Sequence, residues 1–572
     1  MNFRKKITGK DVAGFLLLAV SLLLIGRSFA LCFCNDIWYD ELFTVGMAEH
    51  SYGELVRFTA ADVHPPLYYC IVKFLVDLCK LILPGAGTVV PAKIASVLPY
   101  FGLFLYSIFP IRKRFGMFVG GLFLFCTIAM PQLPAYTVEV RMYGWAMLFV
   151  TAAFWHGYET VTVGLETAES GENKKKSGKL QKLHAAAFVV YGLAAAYTQY
   201  FAAVAVATLY FCVLLVLIRK ERGRIREWFL WAGVSAAAYV PWLLVLYRQV
   251  TAVKENYWIL PLSWRSLGGC VKFLMKPSFA DDRLNTALAV ILFFSYVAVW
   301  CYHAEKLFHC RRENGEGWKN SGEVSRISEY REAERFWLAT AGIAVLGGIV
   351  LFGFAASILI RPIFVYRYML SAAGCFWFSF ALGLDGILCK SAAPDMDKGH
   401  KENGEGGASG HRAGGNSIVY GLGTALTVLV FLVGLQNYRA FMGEEEYKAV
   451  NMKETERAIS MIGLQDKVIY NFDQVQAVTA YYLPDTVERF LWQAKGETLV
   501  QEIISPCGSI EDVDEIGKLL EIVGEKDGNL WFIGSFNSRD DIVSAWRDAG
   551  FDVEEEGSFL LERYWVNLYR IS

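Results

Sequence analysis

Runs of about 20 apolar residues recur along most of this chain, and they constrain its fold more than any other feature. A helix needs ~20 apolar residues to cross the hydrocarbon core of a bilayer. Of the 572 residues, 55% are hydrophobic and 15% are aromatic, which is too apolar for a soluble protein of this size. The sequence therefore predicts a polytopic α-helical membrane protein.

The apolar runs, read together with the positive-inside rule, predict about eleven spans plus interfacial helices. The predicted spans are Val12–Cys34, Ala92–Ile111, Phe115–Pro131, Tyr143–Val161, His184–Tyr197, Phe201–Ile218, Trp228–Tyr247, Leu284–Tyr302, Phe336–Leu359, Met369–Leu388 and Ile418–Gln436. Basic residues before Val12 predict a cytoplasmic N-terminus, and no small-residue cleavage site follows the first run. We therefore expect an uncleaved first span.

The run from Pro65 to Leu83 is predicted to lie in the membrane interface instead of crossing the membrane. Lys73, Asp77 and Lys80 interrupt it, and Pro65-Pro66 can begin a helix there. If this run crossed, the basic cluster at residues 112–114 would face outward, against the charge rule. Residues 35–91 then form one segment, the first loop, which we expect outside the cell.

The last part of the chain has a different pattern of apolar and charged residues, which predicts a separate domain. Because the number of spans is odd, residues 438–572 are expected outside, after a transmembrane domain of residues 1–437. Short apolar strands alternate there with charged helical segments, which predicts a small α/β domain. The predicted strands are Val468–Phe472, Leu530–Ile533, Phe559–Leu561 and Trp565–Tyr569, and the predicted helices are Glu444–Met461, Ile510–Val523 and Arg539–Ala549.

The charge of the chain excludes one class of partner. The formal net charge of −1 by itself says nothing about partners, because the charges are divided between loops, but no domain is strongly basic. We therefore expect membrane lipid, and no nucleic acid, among the partners of this protein.

Asp40 and Glu41 are the leading catalytic candidates. They follow a membrane exit by a few residues and are preceded by Trp38-Tyr39. One carboxylate could act as a general base, or the pair could help to hold a divalent metal. The alternative is a solvated acid pair below an aromatic belt, which is common at membrane interfaces.

The run His64-Pro65-Pro66-Leu67-Tyr68 supplies a third candidate. The prolines restrict the backbone, so the His64 side chain has a reproducible direction and can donate to a phosphate or a sugar hydroxyl. The alternative is a helix start with an incidental histidine.

Two later runs carry charges at the predicted outer ends of spans. Glu139 and Arg141 could pair with each other, but the guanidinium of Arg141 also suits a lipid-linked phosphate. Arg361, Arg367 and Tyr368 form the second group, and these arginines could instead extend from the interface toward water. Because the charge rule places these residues, Tyr200 and the first-loop candidates on one side, we expect a shared cavity.

These motifs resemble polytopic glycosyltransferases of the GT-C type, specifically the protein O-mannosyltransferase and aminoarabinose transferase-like superfamily, glycosyltransferase family 39. The matching runs are Asp40-Glu41, His64-Pro65-Pro66-Leu67, Glu139-Val140-Arg141-Met142-Tyr143, Tyr197-Thr198-Gln199-Tyr200-Phe201 and Arg367-Tyr368. Together they cover roughly residues 10–390. Family members often have histidine at the position of Gln199, so no catalytic role is carried over to it.

The resemblance implies inverting transfer of a sugar from a polyprenyl phosphate to an acceptor at the outer face of the membrane. Asp40 becomes the base, with Glu41 its neighbour or alternate. Phosphate or donor contacts are implied for His64, Arg141 and Arg367. We also predict substrate-binding roles for Glu139, Tyr143, Tyr200, Arg361 and Tyr368. The acceptor, whether glycan, lipid or protein, is not implied, and no cofactor is implied beyond the divalent metal considered above.

The expected location is the plasma membrane of a bacterium, within the cell envelope. A different class of function stays open, namely a transporter or flippase of a lipid-linked sugar. That class would place charged residues along a path through the bilayer, whereas the predicted spans are nearly free of acids. A third alternative is a membrane-anchored sensor whose α/β domain binds a ligand.

Overall fold

The computed structural model describes residues 8–34, 37–170, 174–252, 259, 261–316, 323–388, 409–493, 499–504, 506–561 and 564–572. Within these residues, eight helices are long and apolar enough to cross a membrane. The protein is therefore a polytopic helical membrane protein, as predicted. Contacts divide the chain into two compact units. Unit 1 is Met1–Ala30, Ser96–Val138 and Met142–Ala440, and unit 2 is Leu31–Ala95, Glu139–Arg141 and Phe441–Ser572.

Every one of the eleven predicted spans coincides with a helix. The long helices are α1 (Gly9–Leu31), α5 (Val89–Tyr106), α7 (Met117–Ala129), α8 (Tyr143–Ser170), α9 (Lys174–Thr198), α10 (Tyr200–Lys220), α11 (Ile225–Ala252), α13 (Asp282–Glu316), α14 (Glu323–Leu359), α15 (Leu370–Leu388) and α16 (Ser409–Ile459), with the short α6 (Arg112–Phe115) and α12 (Arg265–Met275) between them. Helices α7, α8 and α9 are outside the eight, because α7 has 13 residues and the other two carry polar residues such as His156 and His184.

Unit 1 is the helical bundle, and α15 lies at its centre. The apolar segment of α15, which is long enough to span a membrane, is entirely buried. Near the end of this helix the carboxylate of Asp385, with no exposed surface, lies 2.7 Å from the ammonium of Lys10 and 2.8 Å from the guanidinium of Arg335. Because a buried charge is stable only when it is paired, this network fixes α15 against α1 and α14.

Unit 2 contains the helices of the first loop, which are α2 (Tyr39–Glu49), α3 (Tyr52–Ala61) and α4 (Leu67–Ile82). The predicted interfacial helix coincides with α4, which follows Pro65-Pro66. Its Lys73 is buried, and the Lys73 ammonium lies 3.1 Å from the carboxylate of Asp77 one turn later. Two of the three charges that argued against a span, Lys73 and Asp77, therefore pair along one face of the helix.

The C-terminal part of unit 2 is an α/β domain, as predicted. Its strands are β1 (Lys467–Tyr470), β2 (Glu488–Trp492), β3 (Gly508–Ile510), β4 (Leu530–Ser535), β5 (Val553–Leu561) and β6 (Tyr564–Ile571). They form one sheet in the order β3-β2-β1-β4-β6-β5. The first four strands are parallel to their neighbours, whereas β6 pairs antiparallel with β4 and with β5.

Four helices accompany this sheet, α17 (Asp473–Tyr482), α18 (Leu499–Ile503), α19 (Val513–Gly524) and α20 (Ser538–Asp548). On one face, Trp546 of α20 and Ile516 of α19 pack on Phe532 of β4 in a closed apolar core. Strands β2 and β3 and helices α17 and α18 were not predicted from the sequence. The predicted strands are confirmed, with bounds that differ by a few residues.

Candidate active site

The N-terminus of α2 fixes Glu41 as a buried structural acid. The Trp38 backbone is extended, and its N–H donates to Glu41 Oε2 at 3.2 Å, which satisfies one of the donors left open at a helix start. Glu41 Oε1 accepts from the Val140 N–H at 2.7 Å. Since Glu41 is only 6% exposed and both carboxylate oxygens hold backbone donors, this residue serves to hold the chain in place.

Helix α2 binds the segment Glu139–Arg141 through the backbone N–H and the backbone carbonyl of Val140. Val140 donates its N–H to Glu41, and its carbonyl accepts from Thr44 Oγ1 at 3.2 Å. Glu41 and Thr44 are three residues apart, so both lie on the same face of the helix. The Glu139 carbonyl accepts from the Arg141 N–H at 2.7 Å, a tight bend that turns Arg141 toward α2.

Asp40 and Arg141 form the charged centre of this arrangement. Arg141 Nη2 lies 3.8 Å from Asp40 Oδ2, and Arg141 Nη1 donates to the Asp40 carbonyl oxygen at 3.2 Å. The Asp40 side chain is 26% exposed and the Arg141 side chain 5%. A buried cation therefore lies beside a carboxylate that is partly exposed.

His64 has a carboxylate partner that sequence reasoning missed. His64 Nδ1 lies 2.9 Å from Asp62 Oδ2, and both side chains are mostly buried. Burial alone would raise the pKa of Asp62, but the hydrogen bond and charge of His64, with the charge of Arg141 behind them, bring that pKa below its usual range. Asp62 therefore belongs to the same charged cluster. The Asp-Val-His spacing before the two prolines is the signal that could have identified it.

The remaining predicted residues lie in unit 1. The Arg367 guanidinium lies 5.9 Å from the centre of the Tyr143 ring, a cation–π contact. Tyr368 stacks on Phe201 with ring centres 4.5 Å apart. The Tyr200 hydroxyl bonds to Gln249 and accepts from Trp242 Nε1, and Arg361 donates to the Val250 carbonyl.

The structure thus places the predicted residues in two local groups. Asp40, Glu41, His64, Glu139 and Arg141 belong to unit 2, and Tyr143, Tyr200, Arg361, Arg367 and Tyr368 to unit 1. Among the described residues, no group of three or more His, Cys, Asp or Glu side chains has an arrangement suited to a metal ion. Asp40 and Glu41 as metal ligands stay a prediction, and Glu41 would have to release a backbone donor to take that role.

Comparison with known proteins identifies the fold and not a family. No protein-family model matches this chain, and no curated protein is significantly similar to it. Among solved structures, ArnT from Cupriavidus metallidurans in the apo state is similar with a TM-score of 0.51 at 13% identity, over 97% of each chain. The same ArnT bound to undecaprenyl phosphate gives a TM-score of 0.51 at 12% identity, again over 97% of each chain.

A more distant similarity is to the oligosaccharyltransferase AglB from Archaeoglobus fulgidus in complex with an inhibitory peptide and a dolichol-phosphate. It has a TM-score of 0.42 at 9% identity, over 91% of this chain and 69% of AglB. The similarity to ArnT over 97% of each chain shows that this chain has the ArnT fold, with its membrane helices and its α/β domain both included in the match.

Proposed function

We propose that this protein is an inverting glycosyltransferase that moves a sugar from a polyprenyl phosphate to an acceptor hydroxyl at the outer face of a bacterial plasma membrane. The observation that carries the proposal is the pairing of an accessible Asp40 carboxylate with a buried Arg141 guanidinium at the start of α2. The ArnT fold adds support, because ArnT has been captured with undecaprenyl phosphate, which is the leaving group that such a donor would release.

In the proposed reaction, Asp40 accepts the proton of the acceptor hydroxyl as that oxygen attacks the anomeric carbon. A bond forms between the acceptor oxygen and the anomeric carbon, and the bond from that carbon to the phosphate oxygen breaks. The electron pair leaves on the phosphate, which is a stable anion and needs no proton. One displacement at the anomeric carbon inverts its configuration.

Arg141 is proposed to act on the charge that moves during this step. Its guanidinium is already fixed by the Asp40 carbonyl oxygen, so it needs little reorganisation when negative charge grows on the leaving phosphate. His64, which Asp62 orients through Nδ1, is proposed to contact the donor through its other ring nitrogen.

Contacts to the donor are also proposed for the predicted residues of unit 1. The Arg367 guanidinium over the Tyr143 ring is a candidate for the phosphate, because an arginine fork matches phosphate oxygens. Tyr200, Arg361 and Tyr368 keep the substrate-binding role predicted from the sequence, as does Glu139.

The test is sugar transfer by purified, reconstituted protein with a panel of polyprenyl-phosphate sugars. Asp40→Asn is expected to lower kcat by ~10²- to 10⁴-fold, the usual contribution of a positioned base. Asp77→Asn is the matched control, because Asp77 is an exposed acid of the same loop whose role is to pair with Lys73. Full activity of both Asp40→Asn and Glu41→Gln would refute the proposal, and lipid flipping without transfer would favour a flippase.

A further inference from the structure

The end of α2 that lies away from Asp40 packs against the C-terminal domain, within unit 2. A Cβ atom built on Gly46 would lie 3.0 Å from Ile503 Cγ2 and 3.2 Å from the Ile503 carbonyl oxygen. These distances are at the lower limit for real side-chain contacts. The two helices therefore meet closely at Gly46, and a side chain at this position requires Ile503 or helix α2 to shift by a few tenths of an ångström or more.

A hydrogen bond fixes the same contact. His50, the residue that follows α2, places Nε2 at 3.0 Å from the carbonyl oxygen of Ile503. Ile503 is the last residue of α18, and carbonyls in the last turn of a helix have no partner within it. Since a carbonyl can only accept, the His50 ring donates from Nε2, and one open carbonyl is satisfied by the first loop.

Two further contacts surround this point. Arg57 Nη2 of α3 lies 2.6 Å from Glu502 Oε1, but both side chains are exposed, so the pair contributes little on its own. Tyr481 of α17 lies near the end of α2, where burial and the neighbouring Glu49 carboxylate raise its pKa. The close approach at Ile503 is thus one of the contacts that hold the C-terminal end of α2.

The mechanical consequence follows from the length of α2. Asp40 and Gly46 are six residues apart on one helix, or about 9 Å along its axis. A helix this short behaves as a rigid rod, so a displacement at Gly46 reaches Asp40 almost unchanged. A misplacement of about 1 Å in an active site can cost about 100-fold in rate.

We propose that Ile503 of the C-terminal domain is a positioning residue, which sets the position of α2 and thereby aims the Asp40 carboxylate for glycosyl transfer. This inference rests on the proposed function in assigning Asp40 as the base. It gives the α/β domain a task in catalysis that requires no substrate contact by the domain itself.

The first experiment combines Gly46→Val with Ile503→Ala. Gly46→Val is expected to lower kcat about 10- to 100-fold while the KM for the donor changes less than about twofold. The double variant, in which the shortened residue 503 makes room for the valine, is expected to recover most of kcat. Gly53→Val is the matched control, because a Cβ at Gly53 of α3 would meet only Ser51 Oγ, at 4.0 Å.

The second experiment uses His50, so that the inference does not depend on one variant that could misfold. His50→Ala should lower kcat, whereas His50→Gln keeps a side-chain N–H donor and should restore it. A purely structural role predicts a different pattern, in which the melting temperature and folded yield fall while kcat per folded molecule is unchanged. That pattern, or a double variant no better than Gly46→Val, would overturn the proposal.

The outcome for Asp40→Asn in the same assay separates the two proposals. An inactive Asp40→Asn with a fully active Gly46→Val would refute the positioning role alone. If Asp40→Asn were fully active, the proposed base would fail. Hydrogen exchange in residues 39–49 then tests the contact without catalysis, and it should speed up in Ile503→Ala but not in Gly53→Val.

Discussion

Replacing Glu41 with glutamine should separate the contribution of this buried acid from that of Asp40, the proposed base. Glu41 accepts two backbone N–H groups, and the one from Val140 is buried. A glutamine amide keeps one acceptor oxygen and turns an NH₂ group toward the other N–H. A hydrogen bond to a charged group contributes about 1.5–3 kcal/mol, and a buried donor left without a partner costs about 1–3 kcal/mol. We therefore expect Glu41→Gln to lower the free energy of unfolding by about 2–4 kcal/mol.

The melting temperature and the transfer activity are measured on the same purified protein. A loss of this size corresponds to a decrease in melting temperature of roughly 4–16 °C for a unit of 150–250 residues. Kcat should fall as well, because Asp40 is the adjacent residue and loses its support. Glu54→Gln is the matched control, since Glu54 caps α3 in the same way, through the Ser51 N–H and hydroxyl, at an exposed position.

A Glu41→Gln variant that melts with the wild-type protein would refute this reasoning. An equal decrease of the melting temperature in Glu54→Gln would also refute it. The expected difference between the two variants depends on Glu41 being buried and Glu54 being exposed. The contrasting variant is Asp40→Asn, which should lose activity with little change in melting temperature, since Asp40 is partly exposed and its carbonyl keeps the contact with Arg141.

Two other predictions test charge networks. Because the pKa of folded Asp62 is below its ordinary value of 3.8, its stabilising contribution should be complete above that pH and should disappear as pH falls through the folded value. The melting-temperature difference between wild type and Asp62→Asn should thus hold from pH 6 to about 4 and close at lower pH; a constant difference would contradict it. Asp385→Ala should destabilise the bundle by about 3–5 kcal/mol, because Lys10 and Arg335 lose their shared partner. A melting temperature of Asp385→Ala in detergent equal to that of the wild-type protein would refute this prediction.

The membrane part of the fold could be predicted in detail from the sequence. Each span is a contiguous run of apolar residues, and backbone hydrogen bonds inside a membrane must be made within the helix itself, so composition over ~20 residues decides both its existence and its length. Neighbouring residues also predicted α4: Pro65-Pro66 indicated where the helix begins, and the charges of Lys73 and Asp77 indicated that it does not cross the membrane. The candidates Asp40 and Arg141 were found because charges at membrane depth are costly and few.

The α/β domain was predicted less completely, for a physical reason. Strand β2 pairs in parallel with β1, and the chain between these two strands forms α17. Strand β3 in turn pairs in parallel with β2. Helix α17 carries few charges and is buried on most sides, so it lacks the alternating pattern by which a surface helix is recognised. Arg489, the second residue of β2, carries a charge, and its guanidinium donates to the carbonyl oxygens of Ala480, Leu483 and Pro484.

The sequence by itself therefore determined the class of protein, the spans and the acids at the start of α2, because these depend on composition and neighbours along the chain. Only the tertiary structure decided which distant groups those acids contact. Asp40 and Glu41 are adjacent and chemically alike, but Val140, almost a hundred residues away, occupies one and leaves the other accessible. The closeness of Gly46 and Ile503 is likewise invisible in sequence. Both outcomes depend on which distant backbone groups arrive within hydrogen-bond or van der Waals distance.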